Sequence, residues 1–404
     1  MISSGRLFKW LLRTLVGLAC LFVVALIVVW YVTLPTPPDA FYTWSAKVPA
    51  TPGTLLRAEP FARGIPAGAK SWRILYTTTQ GNGSPALASA IVVASSVDAA
   101  EPSPVIAWAH GTTGVVPACA PSLSQQPLDG TPALALAMQA HWVVVATDYA
   151  GLGTSGAHAY LVGADEAHAT LDAVRAARQM NALKLSDNVV VWGYSQGGHA
   201  ALWTGMIASG YAPELRIEGV AALAPATDLP ALEDYTQGML VGRIFSSYIV
   251  DGYSATYPDV SWPGMVRVGA LFPARDMSRR CLDGKSALPA VADAWLISGS
   301  IFKADPASGP LGARLRENIP NGKIQAPLLI AQGLADQLVA PSIQNAFVRS
   351  ACERGQSIAY VTYANKDHLS LVAAGSRLET DLFHWTQDRF QGVAVAAGCA
   401  TEAR

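Results

Sequence analysis

The sequence predicts an α/β fold with a mostly parallel central sheet, an inserted cap subdomain and one N-terminal helix that could cross a membrane. Three observations predict it: strand-like runs alternate with helical patterns, two runs are continuously apolar, and one long interval breaks the alternation. The runs Val143-Val144-Val145 and Val189-Val190-Val191 do not alternate polar with apolar residues. This pattern is typical of central strands that are covered on both faces.

The strands of the predicted sheet are short apolar runs, and helical patterns lie between several of the later ones. The predicted strands are Trp72–Thr79, Ala86–Ala94, Pro104–Ala109, Trp142–Thr147, Asn188–Gly193, Gly219–Ala224, Pro327–Gln332 and Ser357–Tyr363. The predicted helices are Ala164–Met180, Gln196–Ala208, Ser342–Cys352 and Ser370–Phe390.

The interval without alternation lies between the strand that ends near Ala224 and the one that begins near Pro327. It is rich in Tyr, Phe, Met, Pro and Gly, and a structureless loop of that length is implausible in a compact domain. We therefore predict a cap at about residues 228–322, inserted into a domain that spans residues 39–404. Most of its aromatic side chains are expected to form its own core, and some to line an apolar channel.

Residues 1–38 are predicted to form a cytoplasmic tip, a membrane helix and a Pro-rich linker. Arg6, Lys9 and Arg13 precede an uncharged run from Thr14 to Leu34, and a bilayer-spanning helix needs about 20 residues. Positive charge ahead of the run keeps the N-terminus cytoplasmic. Because the apolar region of a cleaved signal is shorter, about 7–15 residues, we favour a signal anchor that leaves the domain facing the periplasm or exterior. Secretion after signal cleavage is the alternative.

Composition limits the partners and the redox chemistry. With 51% hydrophobic residues the chain can bury a core, and a net charge of −1 argues against nucleic acid as a partner. Besides Cys20, four cysteines are present: Cys119, Cys281, Cys352 and Cys399. After export they could form two disulfides in any of three pairings, or remain buried thiols. Their spacing does not suit a metal, so neither metal nor cofactor is predicted, and the oligomeric state is left open.

The motif that carries most chemical information is Gly193-Tyr194-Ser195-Gln196-Gly197-Gly198, between a strand-like run and a helical pattern. A Gly-x-Ser-x-Gly turn between a strand and a helix exposes the serine hydroxyl above the end of a parallel sheet. The glycines suit it because the turn is strained and side chains at their positions would collide with the strand and the helix. Ser195 is therefore the candidate nucleophile.

A nucleophilic serine needs a histidine base and an acid that orients the histidine, expected in the order Ser, Asp, His after successive strands. His368 follows the last predicted strand and Asp336 follows Pro327–Gln332, so they are the candidate base and acid. Asp228, after the preceding strand, is the competing acid, and Asp367 is too close to His368 in sequence to orient it. For His199 core packing is the expected role, and His141, His158, His168 and His384 have no positional argument.

A carbonyl attacked by serine develops negative charge on its oxygen, which needs N–H donors already in place. The backbone amide of Gln196, at the start of the helix after Ser195, is one expected donor. The other is expected from the loop His110-Gly111-Thr112-Thr113-Gly114, with Thr112 and Thr113 both open. The segment that begins Asp148-Tyr149 is expected to be a structural loop beside the site.

These segments together resemble the secretory lipase family, which includes fungal secreted lipases of Candida type and bacterial relatives. The resemblance rests on five segments: 110–114 (HGTTG), 119–122 (CAPS), 148–153 (DYAGLG), 193–198 (GYSQGG) and 336–339 (DQLV). It covers the chain from about residue 40 to the C-terminus. It implies an α/β-hydrolase core with a cap after the sixth core strand, hydrolysis of carboxylic esters including acylglycerols, and the triad Ser195, Asp336 and His368.

The same resemblance implies disulfides Cys119–Cys281 and Cys352–Cys399. The chain departs from the family in its predicted anchor, because family members are typically released. The sequence therefore predicts a metal-free serine ester hydrolase (a lipase or carboxylesterase) that acts on lipid or small ester substrates. A peptidase, amidase or acyltransferase on the same triad is the alternative, and a membrane-tethered binding protein without catalysis is a further one.

Overall fold

The computed structural model describes residues 4–97 and 99–404. Residues 1–3 of the predicted cytoplasmic tip, and Asp98, lie outside the described residues. Within the described ranges one sheet contains ten strands. They are β1 Leu55–Pro60, β2 Ala69–Thr79, β3 Pro85–Ser95, β4 Ser103–Ala109, β5 Val143–Ala150, β6 Leu185–Tyr194, β7 Arg216–Leu223, β8 Leu328–Gly333, β9 Ile358–Tyr363 and β10 Cys399–Ala403.

The sheet has the order β1-β2-β3-β5-β4-β6-β7-β8-β9-β10. The pairs β1–β2, β2–β3 and β3–β5 are antiparallel, and every later neighbouring pair from β5–β4 onward is parallel. The prediction of a mostly parallel α/β sheet is therefore confirmed, and all eight predicted strands are present. The sequence analysis missed β1 and β10, which are the two edge strands.

The helices within the described residues are α1 Ser4–Val32, α2 Leu134–Gln139, α3 Gly163–Ala177, α4 Gln196–Tyr211, α5 Leu229–Thr236, α6 Leu240–Thr256, α7 Trp262–Met265, α8 Val268–Met277, α9 Ala287–Leu296, α10 Gly309–Glu317, α11 Pro341–Glu353, α12 His368–Val372 and α13 Arg377–Phe390. The single helix predicted over Ser370–Phe390 is wrong. The chain leaves the helical conformation between α12 and α13, where Gly375 has a φ of 77° and the Ser376 side chain caps α13.

Both faces of the sheet are covered, which explains the continuous valine runs. Helices α3, α4 and α11 pack on one face, and α2, α12 and α13 on the other. Val189 and Val191 belong to the first core, whereas Val190 between them belongs to the second. Each residue of the run therefore loses contact with water, as expected for a central strand of an α/β sheet.

Helices α5 to α10 follow β7 and precede β8, and we call residues 228–322 the insert. These helices contribute most of a separate core, which buries Tyr248, Tyr253 and Trp262 and also includes residues outside the insert such as Val115 and Val339. Not every aromatic residue of the interval is buried, because Phe272 is 80% exposed. The domain boundaries predicted from the sequence remain a prediction.

Two disulfides connect distant parts of the chain: Cys119–Cys281 and Cys352–Cys399. This is the pairing implied by the family resemblance. The first joins the segment after β4 to the insert, and the second joins α11 to the edge strand β10. A disulfide that closes a long loop restricts the unfolded chain most, so the first bridge, across 162 positions, is the stronger constraint.

The side chains of the N-terminal helix α1 that the structure describes are exposed, and most of them are apolar. Its segment Phe8–Val32 has a mean hydropathy of 2.8 and is long enough to cross a membrane. Its position near the N-terminus also suits a signal sequence, so this helix is consistent with either a signal or an anchor.

Candidate active site

Ser195 occupies a strained turn between β6 and α4. Its φ is 56° and its ψ is −115°, a conformation that non-glycine residues rarely adopt. The backbone holds it there: Ser195 N donates to Leu223 O at 2.9 Å, and Ser195 O accepts from Ala226 N at 3.2 Å. The turn therefore fixes the direction of the hydroxyl before any substrate binds.

The glycines around Ser195 allow the turn to close. A Cβ on Gly193 would lie 1.9 Å from the Gly197 carbonyl oxygen, and a Cβ on Gly197 would lie 1.9 Å from the Ala109 carbonyl oxygen. Both distances are far below van der Waals contact. Strand β6, helix α4 and the end of β4 can approach this closely only because these side chains are missing, which is the reason expected for the motif.

A continuous chain of hydrogen bonds links Ser195, His368 and Asp336. The Ser195 Oγ lies 2.9 Å from His368 Nε2, and His368 Nδ1 lies 2.7 Å from Asp336 Oδ2. The carboxylate partner favours a proton on Nδ1, so Nε2 can accept the serine proton. His368 is 7% exposed, and the ring of Tyr194 packs on it with centroids 4.9 Å apart. The imidazole is thus held by a hydrogen bond at each ring nitrogen and by the Tyr194 ring.

Asp336 is held by its own hydrogen bonds after β8. Its Oδ1 accepts the backbone N–H groups of Leu338 and Val339, both at 2.8 Å. The two competing acids have other roles: Asp228 caps the start of α5 and Asp367 caps the start of α12. Of these three aspartates, Asp336 is the one that contacts His368.

Thr112 and Thr113 follow β4 and differ in position. Thr112 lines a small cavity together with Ser195 and Gln196, and its hydroxyl lies 2.8 Å from the hydroxyl of Tyr160. The Thr113 carbonyl instead accepts the Leu282 N–H of the insert at 2.8 Å. Thr112 is therefore the one of these two residues that lies beside Ser195.

Gln196 contributes a side-chain network that the sequence analysis missed. Its Nε2 donates to Glu166 Oε1 at 2.7 Å and to His158 Nε2 at 3.0 Å. The other oxygen of Glu166 lies 3.0 Å from His199 Nδ1, so His199 has the core role expected for it. Burial lowers the pKa of His158 to about 3, which keeps its Nε2 free to accept. The Gly-x-Ser-x-Gly motif marks Gln196, but no local signal marks Glu166 or His158 as its partners.

The His110 ring and the Asp148 carboxyl are both buried beside the site. Burial lowers the pKa of His110 to about 4 and raises that of Asp148 to about 6. Asp148 accepts hydrogen bonds from the hydroxyls of Ser89 and Ser122, both at 2.6 Å. This agrees with the structural role expected for the loop that starts at Asp148.

A cavity of about 60 Å³ lies beside Ser195 and His368 under the insert. That space holds only a few water molecules. From the insert it is lined by Leu229, Leu232, Glu233, Thr236, Phe245 and Ile249. This part of the lining is mostly apolar, with the buried Glu233 as its ionisable member. Within residues 4–97 and 99–404, no group of three or more His, Cys, Asp or Glu side chains could hold a metal ion.

Comparison with solved structures identifies the fold. The structure superposes on Candida antarctica lipase A in its closed state with a TM-score of 0.74 and 20% identity, covering 89% of this chain and 87% of that one. The chain has the α/β-hydrolase fold, as its sequence predicts.

The family model described as secretory lipase matches residues 129–263, so the resemblance seen in the motifs is confirmed. Lipase 10 of Candida albicans is 26% identical over 406 residues, with 90% of this chain and 83% of that protein covered. A similar protein named probable inactive lipase, from Mycobacterium tuberculosis, is 24% identical and covers 89% of this chain and 83% of its own length. The similarities support hydrolase activity of the lipase or esterase type.

Proposed function

We propose that this chain is a serine carboxylic-ester hydrolase in which Ser195 is the nucleophile, His368 the general base and Asp336 the orienting acid. The observation that carries the proposal is the unbroken hydrogen-bond chain from the Ser195 hydroxyl to the Asp336 carboxylate. A hydroxyl so placed is activated when the imidazole accepts its proton, and the carboxylate stabilises the imidazolium that forms.

In the acylation step the Ser195 oxygen attacks the ester carbonyl carbon while its proton passes to His368 Nε2. The backbone N–H of Gln196, at the start of α4, and Thr112 donate hydrogen bonds that stabilise the negative charge on the carbonyl oxygen. The tetrahedral intermediate then breaks its bond to the alcohol oxygen, which takes the proton from His368. An acyl-enzyme on Ser195 remains.

In the deacylation step water replaces the alcohol. His368 removes a proton from the water molecule as its oxygen attacks the acyl carbon, and it returns the proton to Ser195 as the acid is released. Each proton taken by the imidazole is therefore given back. The same three side chains complete both halves of the reaction without a metal or a cofactor.

The substrate class is an ester with an apolar acyl group. Leu229, Leu232, Phe245 and Ile249 line the cavity beside Ser195, and such side chains favour an acyl chain over a polar group. The cavity of about 60 Å³ accommodates only a short chain. A longer acyl chain would extend beyond this cavity.

We propose that the N-terminal helix holds this enzyme at a membrane. The uncharged span of α1 is too long for a typical signal peptide, and Trp30 and Tyr31 end it as interfacial aromatic residues do. We propose that α1 is retained and that the domain faces the periplasm or exterior. The intact mass of the protein from washed membranes tests this, since signal cleavage would remove the mass of α1.

Replacement of Ser195 tests the catalytic proposal directly. Ser195→Ala is expected to remove nearly all turnover of a short p-nitrophenyl ester, because the nucleophile is gone, and to leave the circular dichroism spectrum unchanged. The exposed Ser155 provides the matched control, and Ser155→Ala should retain wild-type turnover. An unchanged rate in Ser195→Ala would refute the proposal.

The choice of acceptor and bond is tested with the wild-type chain. The family similarity favours esters, whereas fold and triad alone also suit a peptidase, an amidase or an acyltransferase. Faster turnover of a matched amide than of the ester would favour the amidase, and ester formation with an added alcohol the acyltransferase. Failure of Ser195 to react with a fluorophosphonate would favour a protein without catalysis, a relevant alternative because one relative is named probable inactive lipase.

A further inference from the structure

The C-terminal end of α1 is attached to the insert. Trp30 Nε1 donates to Asp276 Oδ1 at 2.8 Å, and the Arg280 guanidinium lies 5.1 Å from the centroid of the Trp30 ring. Arg280 Nη1 also donates to Thr33 Oγ1 at 3.2 Å. Arg280 is fully buried and Thr33 is 7% exposed. We call these four residues the anchor joint, since they fix where the chain leaves α1.

The insert exposes a large apolar surface beside this joint. Helices α8 and α9 pack against each other and against α6, and large apolar side chains cover their outward sides. We call this surface the α8–α9 face; its residues are Val268 and Phe272 on α8, and Leu288, Val291, Trp295 and Leu296 on α9. Phe272 and Trp295 are 80% and 74% exposed. Large apolar side chains exposed together on two adjoining helices usually mark an interaction site.

The joint and the α8–α9 face belong to the same side of α8. Val268, Phe272 and Asp276 are spaced four residues apart, so they form one stripe along the helix. The end of α1 covers the Asp276 end of that stripe and leaves Phe272 and Val268 uncovered. One turn of helix, about 5.4 Å, separates the anchor contact from the apolar surface.

Helix α9 also approaches the anchor joint. Burial and the neighbouring Asp276 carboxyl raise the pKa of Asp293 to about 7, which reflects how closely the two helices approach at the joint. The exposed Arg275, Arg279 and Lys285 follow the α8–α9 face at this end, with Asp283 as the exposed acid among them. Basic side chains beside an apolar surface suit a layer of lipid headgroups.

The α8–α9 face is also connected to the cavity beside Ser195. Phe245 and Ile249 of α6 line that cavity, while α6 also packs against α8 and α9. Arg243 of α6 donates to Ala294 O at 2.8 Å and to Gly299 O at 2.7 Å, which ties the start of α6 to the end of α9. Helix α6 thus lies between the α8–α9 pair and the candidate site.

We propose that the α8–α9 face lies in the interfacial zone of the bilayer that α1 spans, and that the enzyme takes its ester substrates from the outer leaflet of that bilayer. A spanning helix whose end is joined to α8 carries this surface to the membrane boundary, where such apolar side chains enter by about 5–10 Å. The substrate part rests on the proposed ester hydrolysis and on retention of α1, whereas the position of the surface does not depend on catalysis.

Lipid-dependent quenching tests the position of the surface. The full chain carrying Cys20→Ser is placed in nanodiscs, and a fluorophore is attached at Phe272→Cys. Val97→Cys is the matched control, because Val97 is 66% exposed and follows β3. Since β3 is antiparallel to β5, its last residue lies at the end of the strands opposite to Ser195. Lipids with a spin label near the headgroup should quench the probe at 272 several-fold more than the probe at 97. Equal quenching at the two positions would overturn the proposal, including the case in which a second copy covers the surface.

Activity tests the source of the substrate. Phe272→Ser with Trp295→Ser should lower turnover of an ester lipid in vesicles about tenfold or more, because two anchoring side chains are lost. Turnover of a soluble short ester should stay at the wild-type rate, and Val97→Ser should change neither. Unchanged vesicle turnover in the double variant would refute uptake from the bilayer. If the wild-type chain hydrolyses neither ester, the proposed function fails, and the quenching result still decides where the surface lies.

Discussion

Replacing Glu233 with glutamine should change how the free energy of unfolding depends on pH. Glu233 lies on α5 beside the candidate site, is 2% exposed and accepts a hydrogen bond from the Ser246 hydroxyl. Burial raises the pKa of its carboxyl from 4.5 to about 7, and the Ser246 hydrogen bond offsets only part of that effect. The folded protein therefore resists ionisation of a group that ionises readily in the unfolded chain.

The size of the effect follows from this pKa difference. A shift of one pKa unit corresponds to about 1.4 kcal/mol, so a rise from 4.5 to about 7 corresponds to about 3 kcal/mol. Between these values the folded state binds more protons than the unfolded state. The contribution of Glu233 to stability is therefore complete below pH 4.5 and is lost as the pH rises through about 7. Glu233→Gln should match the wild type near pH 4.5 and exceed it by up to about 3 kcal/mol at pH 8.

Urea unfolding of the full chain in one detergent, at pH values from 4.5 to 8, measures this difference. Asp234→Asn is the matched control, because Asp234 is the adjacent acid on the same helix but is exposed. The control should follow the wild-type curve at every pH. A Glu233→Gln curve parallel to the wild type, or one that separates from it only at acid pH, would refute the reasoning.

Three further changes have defined outcomes. Asp336→Asn should lower kcat for a short ester by about 10³–10⁴ with the fold intact, because the imidazole loses its orienting carboxylate, and steady-state kinetics measures this; a wild-type kcat would contradict the assigned role. Gly197→Ala would place a Cβ 1.9 Å from a carbonyl oxygen of β4, so it should lose more than about 4 kcal/mol or fail to fold, whereas Gly210→Ala in the same helix meets no atom within 4 Å and should be tolerated. Cys119→Ser with Cys281→Ser should lower the free energy of unfolding by about 4 kcal/mol, and a midpoint in urea equal to that of the wild type would contradict this.

The central sheet could be predicted because its signal is local. Val143–Val145 and Val189–Val191 are buried on both faces, so the continuous apolar runs identify their strands directly. The edge strands β1 and β10 carry no such signal. β10, Cys399–Ala403, is exposed along its whole length and joins the sheet by pairing with β9, a partner that the sequence of β10 does not encode.

The candidate site was predictable in part for the same reason. Ser195, Asp336 and His368 each follow a strand, and strand ends of a parallel sheet meet at one edge. The structure brings these three side chains into contact, while their catalytic roles remain proposals. By contrast, Gln196 meets Glu166 across 30 positions and Trp30 meets Asp276 across 246 positions. Such pairs depend on how whole helices pack, which no residue pattern within either segment records.

The disulfide between Cys119 and Cys281 restricts the movement of one end of the insert. The disulfide attaches Cys281 to the segment after β4, and its neighbour Arg280 donates a hydrogen bond to Thr33 after α1. The hydroxyl of Tyr248 on α6 donates to the Arg280 carbonyl. This end of the insert is therefore held in place by a covalent bond and by hydrogen bonds. Helix α5 lines the cavity beside Ser195 and takes no part in these bonds, so a long acyl chain would displace α5 more easily than this end of the insert.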